Sequence, residues 1–207
     1  LGGGGSGGHY NGVVRGGYPG RAYGGGGGGG GSKLSASSVH AGGAGAPGVV
    51  IVEEFADLQC PACSAAHSQV TAPLLAKYSN DIRFEFNHFP LRSIHRFALD
   101  AAEMSECAAD QGKFWEFVDI AYEKQKDLGL ETLMDWAEVI GLDTDIAERC
   151  WKSHSKRDIV LNDYKEGRDR DVAGTPTFFV NGKRVKTGVD TLGAAIEAAL
   201  KGNQMPL

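Results

Sequence analysis

No run in this chain approaches the roughly 20 consecutive apolar residues that cross a bilayer, so the sequence predicts no membrane-spanning helix. Acidic residues are missing from the first 52 positions, where the only formal charges are Arg15, Arg21 and Lys33. Setting those three aside leaves 18 basic against 26 acidic residues, a net charge of −8 on the rest of the chain. An acidic domain without a basic stripe argues against nucleic acid as a partner and leaves unfolded polypeptide open. An initiating Met and a signal-peptide pattern are also lacking, so no targeting signal is read here. Cysteine is scarce, with four residues at positions 60, 63, 107 and 150.

Glycine is abundant but unevenly placed. Of 31 glycines, 22 fall in the first 48 residues, including the unbroken run Gly24 to Gly31. Such a segment buries too little apolar surface to offset its chain entropy. Residues 1–46 are therefore expected to be a glycine-rich disordered tether or an engineered linker. The remaining stretch, about 160 residues, is long enough for one domain with a proper core.

Within that stretch the hydrophobic period changes twice. Val49 to Phe55 reads as a buried strand and Pro61 to Tyr78 as a helix. Asp81 to Phe89 alternates Ile82, Phe84, Phe86 and His88 against polar residues, which predicts a second strand ended by Pro90. From Ser93 to Asp171 the pattern is helical, with breaks at Gly112 and Gly141 and a cap at Asp143 or Thr144. The helix begun there is expected to run through Cys150 and on to Arg168. Thr177 to Val180 and Arg184 to Thr187 read as strands of a hairpin turned by Asn181-Gly182, and a final helix buries Leu192, Ile196 and Leu200. The order is β-α-β, a helical block of about 75 residues, then β-β-α.

Cys60-Pro61-Ala62-Cys63 lies where the first strand gives way to the first helix. At a helix N-terminus free N–H groups and the macrodipole favour an anion and lower a thiol pKa. Cys60 is the candidate nucleophile, and Cys63, one turn in, can resolve a mixed disulfide. Pro61 suits the first helical turn, and Pro61-Ala62 brings no charge to the site. A zinc half-site is the alternative; His67 offers a third ligand, but the helix turns 60, 63 and 67 progressively apart. His67 and His88 could tune Cys60 but read more readily as packed or surface residues, and Asp57 as a turn or capping residue. Cys107 and Cys150 fall on two helices of the block, either bridged or as two buried free thiols. A bridge would imply an oxidising compartment.

The chain resembles the DsbA-like thiol–disulfide oxidoreductases over residues 47–207. The residues that carry the resemblance are Glu54 to Cys63 (EFADLQCPAC), His88 to Leu91, Gly112 to Trp115 and Gly174 to Gly182 (GTPTFFVNG), in the family's order. The resemblance implies an α/β thioredoxin fold with an inserted all-helical domain: 47–92 and 172–207 form the thioredoxin part, 93–171 the insertion. It puts a buried acid at Glu54, which could relay a proton to or from Cys63, and it makes Thr175-Pro176 a cis peptide set against the active cysteines. Thr175, with Pro61 and Ala62, would meet substrate. The expected activity is transfer of a Cys60–Cys63 disulfide to reduced, unfolded secreted polypeptides. The expected protein is a monomer in a periplasmic or other extracytoplasmic space, reoxidised by a membrane thiol oxidase, without cofactor or metal. Isomerase or reductase activity at the same site, and a non-catalytic peptide-binding or fusion-scaffold module, are the alternatives.

Overall fold

The computed structural model describes residues 49–203, and the glycine-rich segment 1–46 lies outside them. Val50–Ala56 (β1) occupies the interior of a four-stranded sheet of order β2-β1-β3-β4. Its near-continuous apolar run suits a strand covered on both faces. Ile82–His88 (β2) pairs with it in parallel, from Val50 opposite Ile82 to Ala56 opposite His88. Thr177–Val180 (β3) lies antiparallel on the other side, and Lys183–Val185 (β4) forms a hairpin with it. Asn181 and Gly182 turn that hairpin with φ of +47° and +75°, the two left-handed residues a type I′ turn demands. With the last helix, Val189–Asn203, the layout is a thioredoxin fold carrying a helical segment between β2 and β3.

The helix expected over 61–78 is present but changes pitch along its length. It comprises Pro61–Ala66 (α1), a π turn at His67–Thr71 and Ala72–Tyr78 (α2). Pro73 has no N–H to give the Gln69 carbonyl, which breaks the α-helical ladder at that point. The Ala72 N–H instead reaches back five residues to the His67 carbonyl. Thr71, at the end of the wide turn, is fully buried.

The helical segment is built on Ala98–Asp110 (α3), buried along nearly its whole length. Phe114–Glu123 (α4), Leu130–Val139 (α5), Thr144–Lys152 (α6) and Arg157–Asp169 (α7) follow. Asp143 caps α6, its Oδ1 accepting the Ile146 N–H at 3.0 Å. The single helix expected from there to Arg168 is in fact two, separated by a turn with His154 at φ +54°. The break brings an imidazole and a guanidinium onto one fully buried carboxylate: His154 Nδ1 and Arg157 Nε each lie 2.8 Å from a Glu103 oxygen. A buried carboxylate needs such partners. A Cβ at Gly167 would lie 2.6 Å from Phe89 Cδ2, so α7 approaches the small core of Phe55, Phe89, Val172 and Phe179 only without a side chain there.

Cys107 of α3 and Cys150 of α6 are joined by a disulfide, Cα atoms 5.9 Å apart and 43 positions apart in sequence. Closing a loop of that length removes chain entropy worth about 4 kcal/mol from the unfolded state. Replacing both by Ala is expected to lower the unfolding free energy by roughly 2–5 kcal/mol in urea titrations; an unchanged midpoint and slope would contradict this.

Candidate active site

A tight loop delivers Cys60 to the N-cap of α1, with φ −80° and ψ 120°, and Pro61 to the first helical position. The Asp57 carbonyl accepts the Cys60 N–H at 3.0 Å, and Asp57 Oδ1 accepts the Gln59 N–H at 2.7 Å. The other carboxylate oxygen accepts the Leu91 N–H at 2.7 Å and faces His95 Nδ1 at 2.8 Å. One buried aspartate therefore ties the loop to the segment after β2. Gln59 adds a second tie, its Oε1 accepting the Phe97 N–H at 2.7 Å. From the opposite side Gln125 Nε2, just after α4, donates to the carbonyls of Leu58 (2.9 Å) and Cys60 (3.0 Å).

Both active-loop cysteines are free thiols. Cys63 is fully buried and its sulfur accepts the Asp57 N–H at 3.5 Å. Cys60 is lowered from 9.0 to about 5, chiefly because the Cys63 thiol donates toward its sulfur. Burial opposes this; the Thr175 side chain and the N–H groups of Cys63 and Ala62 add smaller lowering effects. Cys63 is pushed far above the ordinary thiol range, first by burial and then by committing its proton to Cys60. Helix-terminal amides thus contribute as expected from sequence, but the partner thiol contributes more.

Thr175-Pro176 is a cis peptide, and the Thr175 carbonyl lies 3.6 Å from the Cys60 sulfur. Glu54 is buried on β1 with Oε2 accepting from Thr71 Oγ1 at 2.9 Å. Burial raises its carboxyl from 4.5 to about 7, against opposing effects of His67 and the Thr71 hydrogen bond. Among the described residues, Glu54 Oε1 and the Tyr122 hydroxyl are buried without a hydrogen-bond partner. Tyr122 is held well above its ordinary range by burial and by the neighbouring Cys63, Glu54, Asp57 and Cys60, which places its phenol among the site's acidic groups.

Residues 35–198 match the family model described as Thioredoxin. The chain belongs to the thioredoxin family. BdbD of Bacillus subtilis, in its oxidised form, superposes with a TM-score of 0.66 at 25% identity, covering 74% of this chain and 88% of that one. The thiol–disulfide exchange protein α-DsbA2 of Wolbachia pipientis shares the fold, with a TM-score of 0.63 at 22% identity over 72% of this chain and 81% of that one. A curated relative, the Na(+)/H(+) antiporter NhaA 1 of Salinispora arenicola, is 37% identical over 164 residues, 75% of this chain and 24% of that protein. The chain thus spans about a quarter of the length of the curated relatives it matches. No helix among the described residues is long and apolar enough to cross a membrane.

In this thioredoxin-family site the structure brings together Cys60, Cys63 and the cis Thr175-Pro176 peptide at one junction, with Pro61 and Ala62 exposed on the helix rim; Glu54, buried on β1, and the two cysteines all act on the Tyr122 phenol. Glu53 faces the other side of the sheet, where both its oxygens bind the Arg170 guanidinium. His67 does not join the cysteines as a zinc ligand would; its Nε2 lies 2.8 Å from Asp119 Oδ1 and its ring 5.0 Å from Tyr122. His88 is a core residue, with Nε2 2.9 Å from Glu106 Oε1. Asp57, expected as a turn or capping residue, is one, its Oδ1 accepting the Gln59 N–H, and it further ties the loop to the segment after β2. Sequence reasoning missed Thr71, Tyr122 and Gln125.

Because the Cys63 thiol is the largest influence on Cys60, replacing Cys63 by Ala is expected to raise the Cys60 titration midpoint by more than one unit above about 5. Cys63→Ser, which keeps a hydroxyl donor, is expected to raise it less. Thiolate absorbance at 240 nm against pH reads both variants; equal midpoints in wild type and Cys63→Ala would contradict the assignment.

Proposed function

We propose that this chain is a thiol–disulfide oxidoreductase that donates a Cys60–Cys63 disulfide to reduced, unfolded polypeptides outside the cytoplasm. The observation that carries the reading is geometric: Cys60 at the N-cap of α1 faces the carbonyl of the cis Thr175-Pro176 peptide at 3.6 Å, with Cys63 wholly buried one turn behind it; the outer thiol is accordingly lowered and the inner one raised. A substrate thiolate attacks the Cys60 sulfur, the bond to Cys63 breaks, and Cys63 leaves as a thiolate in a site that strongly favours its protonated form. Glu54, raised to about 7, is the acid that supplies that proton. A second substrate thiolate then attacks the substrate sulfur of the mixed disulfide. Cys60 departs as a stabilised thiolate, and the substrate holds the new disulfide. Stabilising the reduced form makes the couple an oxidant.

The Thr175 backbone supports substrate binding in the same geometry. In the thiol form Cys60 can donate to the Thr175 carbonyl; once Cys60 ionises that donor is gone, and the carbonyl is open to a substrate N–H paired as an extra strand. The Cys107–Cys150 bridge favours an oxidising compartment, and reoxidation of the reduced pair falls to a membrane thiol oxidase. No cofactor is required, since the electrons move between sulfurs.

Cys60→Ser is expected to abolish oxidation of a reduced test protein followed by regain of its activity; turnover retained in that variant would refute the proposal. Glu54→Gln removes the proton donor. Below about pH 7, where the wild-type carboxyl is protonated, the variant is expected to oxidise substrate about 100-fold more slowly. The gap should close above that pH as the wild-type group ionises. Parallel pH profiles for the two proteins would remove Glu54 from the mechanism.

A further inference from the structure

Two segments border the Cys60 loop, and they differ in charge. On one side, residues near Gln125 line an open cleft with Pro61, Ser64 and Tyr122, and the charged members of that wall are Glu123, Lys124, Lys126 and Asp127. Two anions and two cations there cancel. On the other side runs the segment 91–97, bound to the loop through Leu91 and His95 on Asp57 and through Phe97 on Gln59. It exposes Arg92, Ser93, Ile94 and Arg96, and it contains no acidic residue.

His95 faces the Asp57 carboxylate, but Arg92 and Arg96 enter no ion pair among the described residues. Their guanidinium carbons instead stand 5.7 Å from the Tyr164 ring and 5.3 Å from the Phe97 ring. Such packing orients a guanidinium and leaves its fork of N–H donors available to a carboxylate. Between them Ile94 is 71% exposed, more than any other large apolar side chain among the described residues. Two arginines without an ion-pair partner among the described residues, set around an exposed isoleucine and tied to the nucleophile's loop, stand on a chain whose part beyond the glycine-rich segment carries −8.

We propose that Arg92, Ile94 and Arg96 form a substrate-docking rim that favours polypeptides with acidic residues and an apolar residue beside the cysteine to be oxidised. The inference rests on the exchange reaction proposed above and names its substrate class. Net charge alone works in the opposite direction, because an acidic protein repels acidic peptides. A local cation pair can override that field because charges beyond about 10 Å are largely screened at 0.1 M salt, and the rim's segment is hydrogen-bonded to the loop that carries Cys60.

The test uses the full chain, oxidised at Cys60–Cys63, and two single-cysteine peptides alike except that Glu or Lys residues flank a Leu-Cys pair. Mixed-disulfide formation is followed by acid quench and mass spectrometry. The acidic peptide is expected to react roughly tenfold faster at low salt, the advantage shrinking at high salt, and the double variant Arg92→Glu, Arg96→Glu should reverse the order. Ile94→Ser should slow both peptides. A faster lysine peptide, equal rates, or a preference that survives charge reversal overturns the rim. So does binding to phosphatidylglycerol vesicles that depends on the two arginines while the peptide rates stay equal. Uncharged 2-mercaptoethanol separates the two levels: it should attack Cys60 at the same rate in wild type and charge-reversed protein. If wild type forms no mixed disulfide with it, the exchange reading itself fails; if it reacts normally without peptide preference, only the rim fails.

Discussion

One thiol giving its hydrogen to another is the interaction on which this site depends. Cys63 is wholly buried, and Cys60 lies at the helix start with 7% of its surface exposed. A buried thiolate without compensation is costly, so the single negative charge the pair can hold settles on the outer sulfur, and the inner sulfur keeps its proton and donates it. The asymmetry is a matter of depth. It would vanish if the loop let Cys60 sink or Cys63 surface.

Much of the surrounding structure fixes that depth. Asp57 fastens the loop with its backbone and both carboxylate oxygens, Gln59 and Gln125 hold it from either side, and the Thr175 carbonyl faces the sulfur across a cis bond. The central strand divides two acids between its faces. Glu53 goes to Arg170, whose guanidinium carbon lies 4.0 Å from the Phe179 ring centroid, and Glu54 goes under the active helix. The π turn forced by Pro73 supplies Thr71 to Glu54, so a break in helical pitch becomes part of the polar floor of the site.

The elements with strong periodicity were legible in the sequence. The alternating strand 82–88, the Asn181-Gly182 hairpin and the strand-to-helix position of the two cysteines each follow from local pattern. What was not legible depends on contacts distant in sequence. The bend at His154 sets both His154 and Arg157 against Glu103, 51 residues earlier, a contact no local pattern announces. Gln125 reads as an ordinary polar residue until the fold carries it 65 positions back to Cys60. The pitch change at His67 needed only Pro73, a local cue, but its consequence at Glu54 needed the sheet. The helix-terminus argument for Cys60 identified a real contribution and missed the larger one, because a sulfur-to-sulfur hydrogen bond has no signature beyond the Cys-x-x-Cys spacing.

The most direct measurement is the reduction potential of the Cys60–Cys63 couple against glutathione as a function of pH. With Cys60 ionised and Cys63 protonated, two electrons carry one proton, so the potential should fall by about 30 mV per pH unit above a break near pH 5 and by about 59 mV per unit below it. A single slope of about 59 mV per unit continuing to pH 8 would mean that both sulfurs are ordinary thiols, and would contradict the charge separation on which the proposed chemistry rests.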